Sequence, residues 1–427
     1  MATSPLNRKL TQAPTWAFTA YAIFAAFTTY LCMYGFRKGF SVGTYEEQSA
    51  GFFGSVFALK SAMVISQVIG YALSKYIGVK VNSEMPKSIR GLALIGSIVV
   101  AQLALLAVAL LPSTGKALAM FFNGLPLGMV WGMVFSFLEG RRLTELLGAG
   151  LCCAFIVGSA CAKFIGQTLI DASVPEHWMP FAVGLCYLPV FLLSVWLLCQ
   201  LPNPSSQDES ARVRREPMDR KARQRFLMVY FPGLIAGFLT YIALTVCRDY
   251  RDNFLKELLG DEELGASIFL KLDLPIAIAV LSIVALLFLV RDNRRGFFLT
   301  HVCALTGTIL LGGCTYLHAR GAIGNSSWMF WSGFGTFLAY VPFNCIFYDR
   351  MIAALGTVAT AVFCIMMADA LGYTAVIGVL TYEQMTGGPG GSKVEFFHQL
   401  CYATSVIGSI CLVGSWLFFR TKTKASS

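Results

Sequence analysis

Apolar residues run along this chain in stretches of about twenty, broken by short polar loops, a length that fits the roughly 30 Å hydrocarbon core of a bilayer. The stretches predict twelve membrane-spanning helices, at residues 15–38, 52–76, 90–111, 117–139, 145–170, 179–200, 226–250, 266–290, 297–317, 327–348, 354–380 and 397–419. The first is too long for the apolar core of a signal peptide and lacks a small-residue cleavage site after it, so it is expected to stay in the membrane. The long polar stretch from Pro202 to Arg225, rich in Ser, Arg and Asp, reads as a flexible linker. It divides the chain into an N-terminal six-helix bundle (1–200), a cytoplasmic linker (201–225) and a C-terminal six-helix bundle (226–427). The expected fold is an all-α polytopic membrane protein.

Composition points the same way. Only 13% of residues are charged, against about 25% in soluble proteins, and mean hydropathy is +0.66. A water-soluble enzyme, a secreted disulfide scaffold and a disordered chain are all disfavoured. The net charge of +10 becomes a topology signal once it is sorted: with both termini cytoplasmic, 22 of the 33 Lys and Arg fall on the inner side. The positive-inside rule therefore favours a multi-pass protein of the plasma (inner) membrane in that orientation, and nucleic acid is not an expected partner. The thirteen cysteines lie mostly in apolar runs without C-x-x-C pairs, and the four histidines lack metal spacing. They read as packing residues, with no metal and no cofactor. No side-chain arrangement with catalytic spacing is seen, so an enzyme is not expected, and the chain is expected to act as a monomer.

The halves repeat weakly. Span four ends in Phe137-Leu138-Glu139-Gly140-Arg141 and span ten in Phe347-Tyr348-Asp349-Arg350, while Ala162-Lys163 of span five aligns with Ala368-Asp369 of span eleven. The loop after span two, Gly70 to Lys80, is similar to the cytoplasmic G-x-x-x-D-R-x-G-R-R signature of the major facilitator superfamily, with Ser74 in place of the acid and one residue inserted. Arg291-Asp292-Asn293-Arg294-Arg295 resembles its second copy. The resemblance implies two parallel six-helix repeats that alternate access to a central site. It also implies a cytoplasmic latch at Asp292 and Arg295, and with the repeated acid and arginine at the cytoplasmic ends of spans four and ten, Glu139, Arg141, Asp349 and Arg350, these are the expected cytoplasmic gate.

Ionisable residues inside the membrane are functional candidates, because each costs roughly 2.5–3.5 kcal/mol at the bilayer centre on insertion scales. Arg37 closes span one and Arg248 closes span seven, at nearly matching depths. One reading makes both rim residues that snorkel to the surface. The other follows from Tyr34-Gly35-Phe36-Arg37-Lys38-Gly39-Phe40, which resembles the Arg-Lys-x-Phe element of the organophosphate:phosphate antiporter family, and from Tyr241 to Arg248, which resembles its Tyr-rich seventh helix. That resemblance implies that the two arginines hold a substrate phosphate between the halves, and a guanidinium fork suits phosphate oxygens.

Lys60, Lys163, Lys271, Asp273 and Asp369 are the other buried charges expected. From the helix pairing implied by the superfamily fold, Lys60 is expected to pair with Asp369, and Lys163 with Asp273, as ion pairs that either neutralise one another or couple to transport. The excess of about three cations favours an anionic solute. Tyr34, Tyr241, Trp131 and Asn344 are candidate substrate contacts; each also has a plain packing or membrane-belt reading. Gly124, Pro126, Gly128 and Gly132 on span four are expected to let helices approach closely.

The leading expectation is a secondary transporter of a small organic anion, an organophosphate exchanged for inorganic phosphate, embedded in the lipid bilayer. The alternatives are a proton-coupled symporter of a sugar, peptide or carboxylate, with Asp369 or Asp273 titrating, and a transporter-derived ligand receptor.

Overall fold

The computed structural model describes residues 4–52, 54–138, 151, 154–202, 220–260, 265–356, 361–386 and 392–424. It is almost wholly helical, and fourteen helices lie among the described residues. They are α1 (Pro5–Gln12), α2 (Thr15–Lys38), α3 (Leu59–Glu84), α4 (Arg90–Leu110), α5 (Ser113–Leu138), α6 (Ala154–Asp171) and α7 (Met179–Cys199), then α8 (Arg220–Leu259), α9 (Ser267–Phe288), α10 (Asn293–Ala319), α11 (Asn325–Pro342), α12 (Tyr348–Leu355), α13 (Ala361–Thr386) and α14 (Lys393–Lys424). Apart from α1 and α12, each has 18 residues or more, and ten are long and apolar enough to cross a membrane. The other two long helices are α3, which carries several lysines, and α11, rich in Ser, Gly and aromatic residues.

The second span differs most from expectation. The apolar run before Leu59 is a hairpin of β1 (Ser49–Phe52) and β2 (Ser55–Ala58), antiparallel with Phe52 opposite Ser55. Gly54 in its turn has φ 76°, a left-handed conformation that glycine adopts without a Cβ penalty. The helix therefore starts at Leu59 and runs on to Glu84. Span ten is also interrupted: α11 ends at Pro342 and a π turn, Phe343–Phe347, follows before α12. Proline lacks the N–H an α-helix needs, and such π turns are common at functional sites.

The chain divides into two compact units, residues 1–213 with 264–271, and residues 214–263 with 272–427. In the first, α2 packs on α5, α6 and α7, α3 lies along α5, and α4 contacts α5 and α7. The α3–α5 contact is close because of glycine: a Cβ on Gly70 would lie 2.2 Å from the Phe121 carbonyl oxygen, and one on Gly124 2.1 Å from that of Gln67. Gly128 approaches Tyr71 in the same way. In the second unit, α8 packs on α11, α13 and α14, and α10 on α11, α12 and α14. Gly307 and Gly335 bring α10 and α11 together backbone to backbone.

Candidate functional site

Each unit buries polar groups around the arginine of its first long helix. In the first unit, α2 ends at Lys38 and passes into a 3-10 turn, Gly39–Val42. A helix end leaves carbonyls without intrahelical partners, and here side chains supply them. Gln67 Nε2 of α3 donates to the Arg37 carbonyl at 3.0 Å and to Asn123 Oδ1 at 2.7 Å. Asn123 Nδ2 of α5 donates to the Phe36 and Ala101 carbonyls, both at 3.1 Å. Lys60 Nζ donates to the Ser41 carbonyl at 2.7 Å, and Ser41 Oγ to that of Lys38 at 2.8 Å. A cation beside a helix C-terminus is favourable. Lys60 thus serves the backbone at the end of α2.

This capping fixes Arg37. Its guanidinium carbon lies 3.8 Å from the centroid of the Tyr71 ring, a cation–π contact, and the residue is only 2% exposed. Tyr34, one turn earlier, is buried; its ring packs edge-on against Tyr30 at 5.6 Å and fills the space beside Gly158 of α6. Lys163, also on α6, is 1% exposed. Trp131 is half-buried and stacks on Phe135 of its own helix at 5.1 Å.

In the second unit, Arg248 is half-buried and lies well inside α8, which continues to Leu259. Its guanidinium carbon sits 4.6 Å from the centroid of the Tyr340 ring, and Nη2 donates to the Tyr373 hydroxyl at 3.1 Å. Tyr241, two turns before Arg248, faces the same cluster. Its hydroxyl donates to Asp369 Oδ1 at 2.5 Å and lies 2.8 Å from the Tyr340 hydroxyl and 3.1 Å from Asn344 Oδ1. Asn344 stands on the π turn, whose wider winding follows Pro342. Arginine, three tyrosines, an asparagine and a carboxylate thus form one cluster from α8, α11, the π turn and α13.

Asp273 departs from the expected pairing. It forms an ion pair within its own unit, Arg251 Nη2 to Asp273 Oδ1 at 2.8 Å, with both side chains almost fully buried. Arg251 also donates twice to the Met329 carbonyl, at 3.0 and 3.1 Å, and Gly333 leaves room for its guanidinium. Lys271 is exposed rather than buried. Among the gate residues, Glu139 and Arg141 lie outside the described residues. Asp292 caps α10 by accepting from the Arg295 backbone N–H at 2.7 Å, Arg350 Nη1 donates to Asn293 Oδ1 at 2.9 Å, and Asp349 opens α12 half-buried.

Residues 39–422 match the family of unknown function DUF5690. The chain belongs to this family. No curated protein matches its sequence significantly. The fold is that of solved major facilitator transporters. A structure titled D-xylose-proton symporter is 14% identical, with a TM-score of 0.60 over 95% of this chain and 98% of that one. The xylose transporter XylE from E. coli, in an inward open conformation, is 13% identical, with a TM-score of 0.58 over 94% and 96%. A bacterial homologue of the human drug peptide transporters is 11% identical, with a TM-score of 0.59 over 94% and 98%. At these identities the likeness concerns the fold.

Tyr71, Gln67, Asn123, Tyr340, Tyr373 and Arg251 were absent from the sequence-derived site. Spacing carried some of the signal: Lys60, Gln67 and Tyr71 follow at seven and four residues along α3, Tyr340 precedes Asn344 by four, and Tyr373 follows Asp369 by four. Each interval returns to the same helix face.

Proposed function

We propose that this protein is a secondary transporter that moves a small organic anion by alternating access, with Arg37 and Arg248 as the anion-binding groups of the two halves. The observation that carries this reading is the repeated arrangement of the two arginines: each sits in the first long helix of its half with its guanidinium against a tyrosine face, Arg37 buried and Arg248 half-buried. A guanidinium's planar fork matches phosphate oxygens two at a time. The substrate class we favour is an organophosphate exchanged for inorganic phosphate, on the likeness of the sequence around Arg37 to the antiporter family. The distribution of basic residues supports a plasma-membrane location with both termini cytoplasmic, and we take the acting form to be a monomer.

The test is ligand-induced thermal stabilisation of the purified protein, which rises with ligand concentration over Kd. Phosphorylated metabolites should raise the Tm of the native protein, and neither Arg37→Lys nor Arg248→Lys should respond. Responses from both variants equal to that of the native protein would overturn this reading.

Asp369 supports a second reading. A carboxylate held by Tyr241 at 2.5 Å and sharing its cluster with Arg248 is suited to take a proton when the arginine engages an anion. In that case Asp369→Asn keeps exchange in vesicles and loses accumulation driven by a pH gradient. Loss of both activities would make Asp369 structural.

A further inference from the structure

The four histidines are scattered in sequence, yet the fold of the second unit brings two of them into contact. His318, at the end of α10, and His398, in the first turns of α14, place Nδ1 and Nε2 2.8 Å apart. Nε2 of His318 lies 2.8 Å from Asn325 Oδ1 at the start of α11, and Asn325 Nδ2 donates to the Leu259 carbonyl at the end of α8 at 2.9 Å. Four helix ends are joined through one chain of hydrogen bonds. Both imidazoles lie against Trp328, with ring centroids 4.2 Å (stacked) and 4.5 Å away, and Trp328 is itself held by Nε1 donating to Thr315 Oγ1 at 3.1 Å.

The bonds fix the tautomers. The Leu259 carbonyl can only accept, so the Asn325 amide turns its nitrogen to Leu259 and its oxygen to His318. His318 must then carry its proton on Nε2. In the neutral ring Nδ1 is a lone pair, so it accepts from Nε2–H of His398. Nδ1 of His398 has no protein partner among the described residues. A proton added there leaves every bond intact and makes the His–His bond charge-assisted, with the cation against the indole face. A second proton would have to enter at His318 Nδ1, where it would replace the acceptor by a donor and set two positive rings at contact distance.

No carboxylate among the described residues partners either ring. The charged residues nearest the clasp along these elements are exposed Arg320, beside Tyr316 just past the end of α10; Lys393 at the start of α14, paired with Glu383 of α13; exposed Glu395 on α14; and half-buried Lys256 and Glu257 near the end of α8. Both rings are half-buried, so protons can reach them.

We infer that His318 and His398 form a proton-binding site that takes up one proton between them, on His398, and keeps the clasp between the ends of α8, α10, α11 and α14 closed in both of its protonation states. This site is separate from the Arg248–Asp369 cluster and does not depend on what the protein transports. The test compares proton uptake between pH 8 and pH 5 by the purified protein and by the His318→Asn, His398→Asn double variant. The native protein should take up one proton more than the variant. A difference of two protons, as from independent histidines, or of none, would overturn the inference. Should the variant not fold, imidazole nitrogen NMR of the native protein reads the same point: a single protonation step should move both ring signals together, whereas two separate full steps, or no step, would contradict it.

Discussion

A guanidinium buried against one carboxylate makes Arg251 and Asp273 an exacting pair. Removing one partner strands the other in a medium that cannot solvate it. Arg251→Met should therefore cost about 3–5 kcal/mol of stability, while Arg251→Met combined with Asp273→Leu should recover most of that loss, as measured by unfolding in detergent. Tyr241→Phe leaves Asp369, Tyr340 and Asn344 without the hydroxyl that joins them and should cost about 1–3 kcal/mol, with Tyr340→Phe milder because Tyr340 stands at the edge of the cluster. The candidate charges were legible in the sequence because an ionisable residue in an apolar run stands out. Their partners were not. Asp273 and Arg251 are 22 positions apart on different helices, and periodicity within a helix cannot report which residue of another helix arrives opposite. Similarly, the two histidines of the clasp are 80 residues apart.

Helices α3 and α5 set the place of the first arginine. Their glycines let Gln67 and Asn123 reach the end of α2, so a methyl group at the contact should loosen the capping of Arg37. Gly124→Ala and Gly70→Ala are each expected to cost about 1–3 kcal/mol through overpacking. Gly96→Ala on α4 is the control: a Cβ there meets nothing within 4 Å, and the change should be neutral or stabilising by about 0.5–1 kcal/mol. Differential thermal unfolding of the three variants reads the contrast. The role of the span-four glycines was legible, since small residues spaced along an apolar helix imply a close neighbour. Gly70 was not, because it stands where the cytoplasmic loop signature was expected. The hairpin before Leu59 was missed for a related reason. Phe52 to Ala58 is apolar enough to extend a helix on paper, and only the turn at Gly54 shows that the chain pairs with itself first. The π turn after Pro342 was also hidden, yet it carries Asn344. Pro342→Ala should restore regular helix there, withdraw Asn344 from Tyr241 and lower ligand response without unfolding the protein.

Across the whole molecule, length and hydropathy carried the architecture. Runs of about twenty apolar residues can be satisfied in a bilayer only as helices, because every backbone group must find its partner within the segment. The chemistry of the solute is a different matter: it depends on a few side chains whose surroundings come from several helices. In the proposed function an anion binds at Arg37 and Arg248 and is carried across the membrane. Counterflow in proteoliposomes loaded with inorganic phosphate tests it most directly, with labelled organophosphates and carboxylates offered outside. The expected result is uptake of a phosphorylated solute that requires internal phosphate and disappears in both Arg37→Lys and Arg248→Lys. Uptake of an uncharged sugar or a peptide instead, undiminished in both variants, would contradict it.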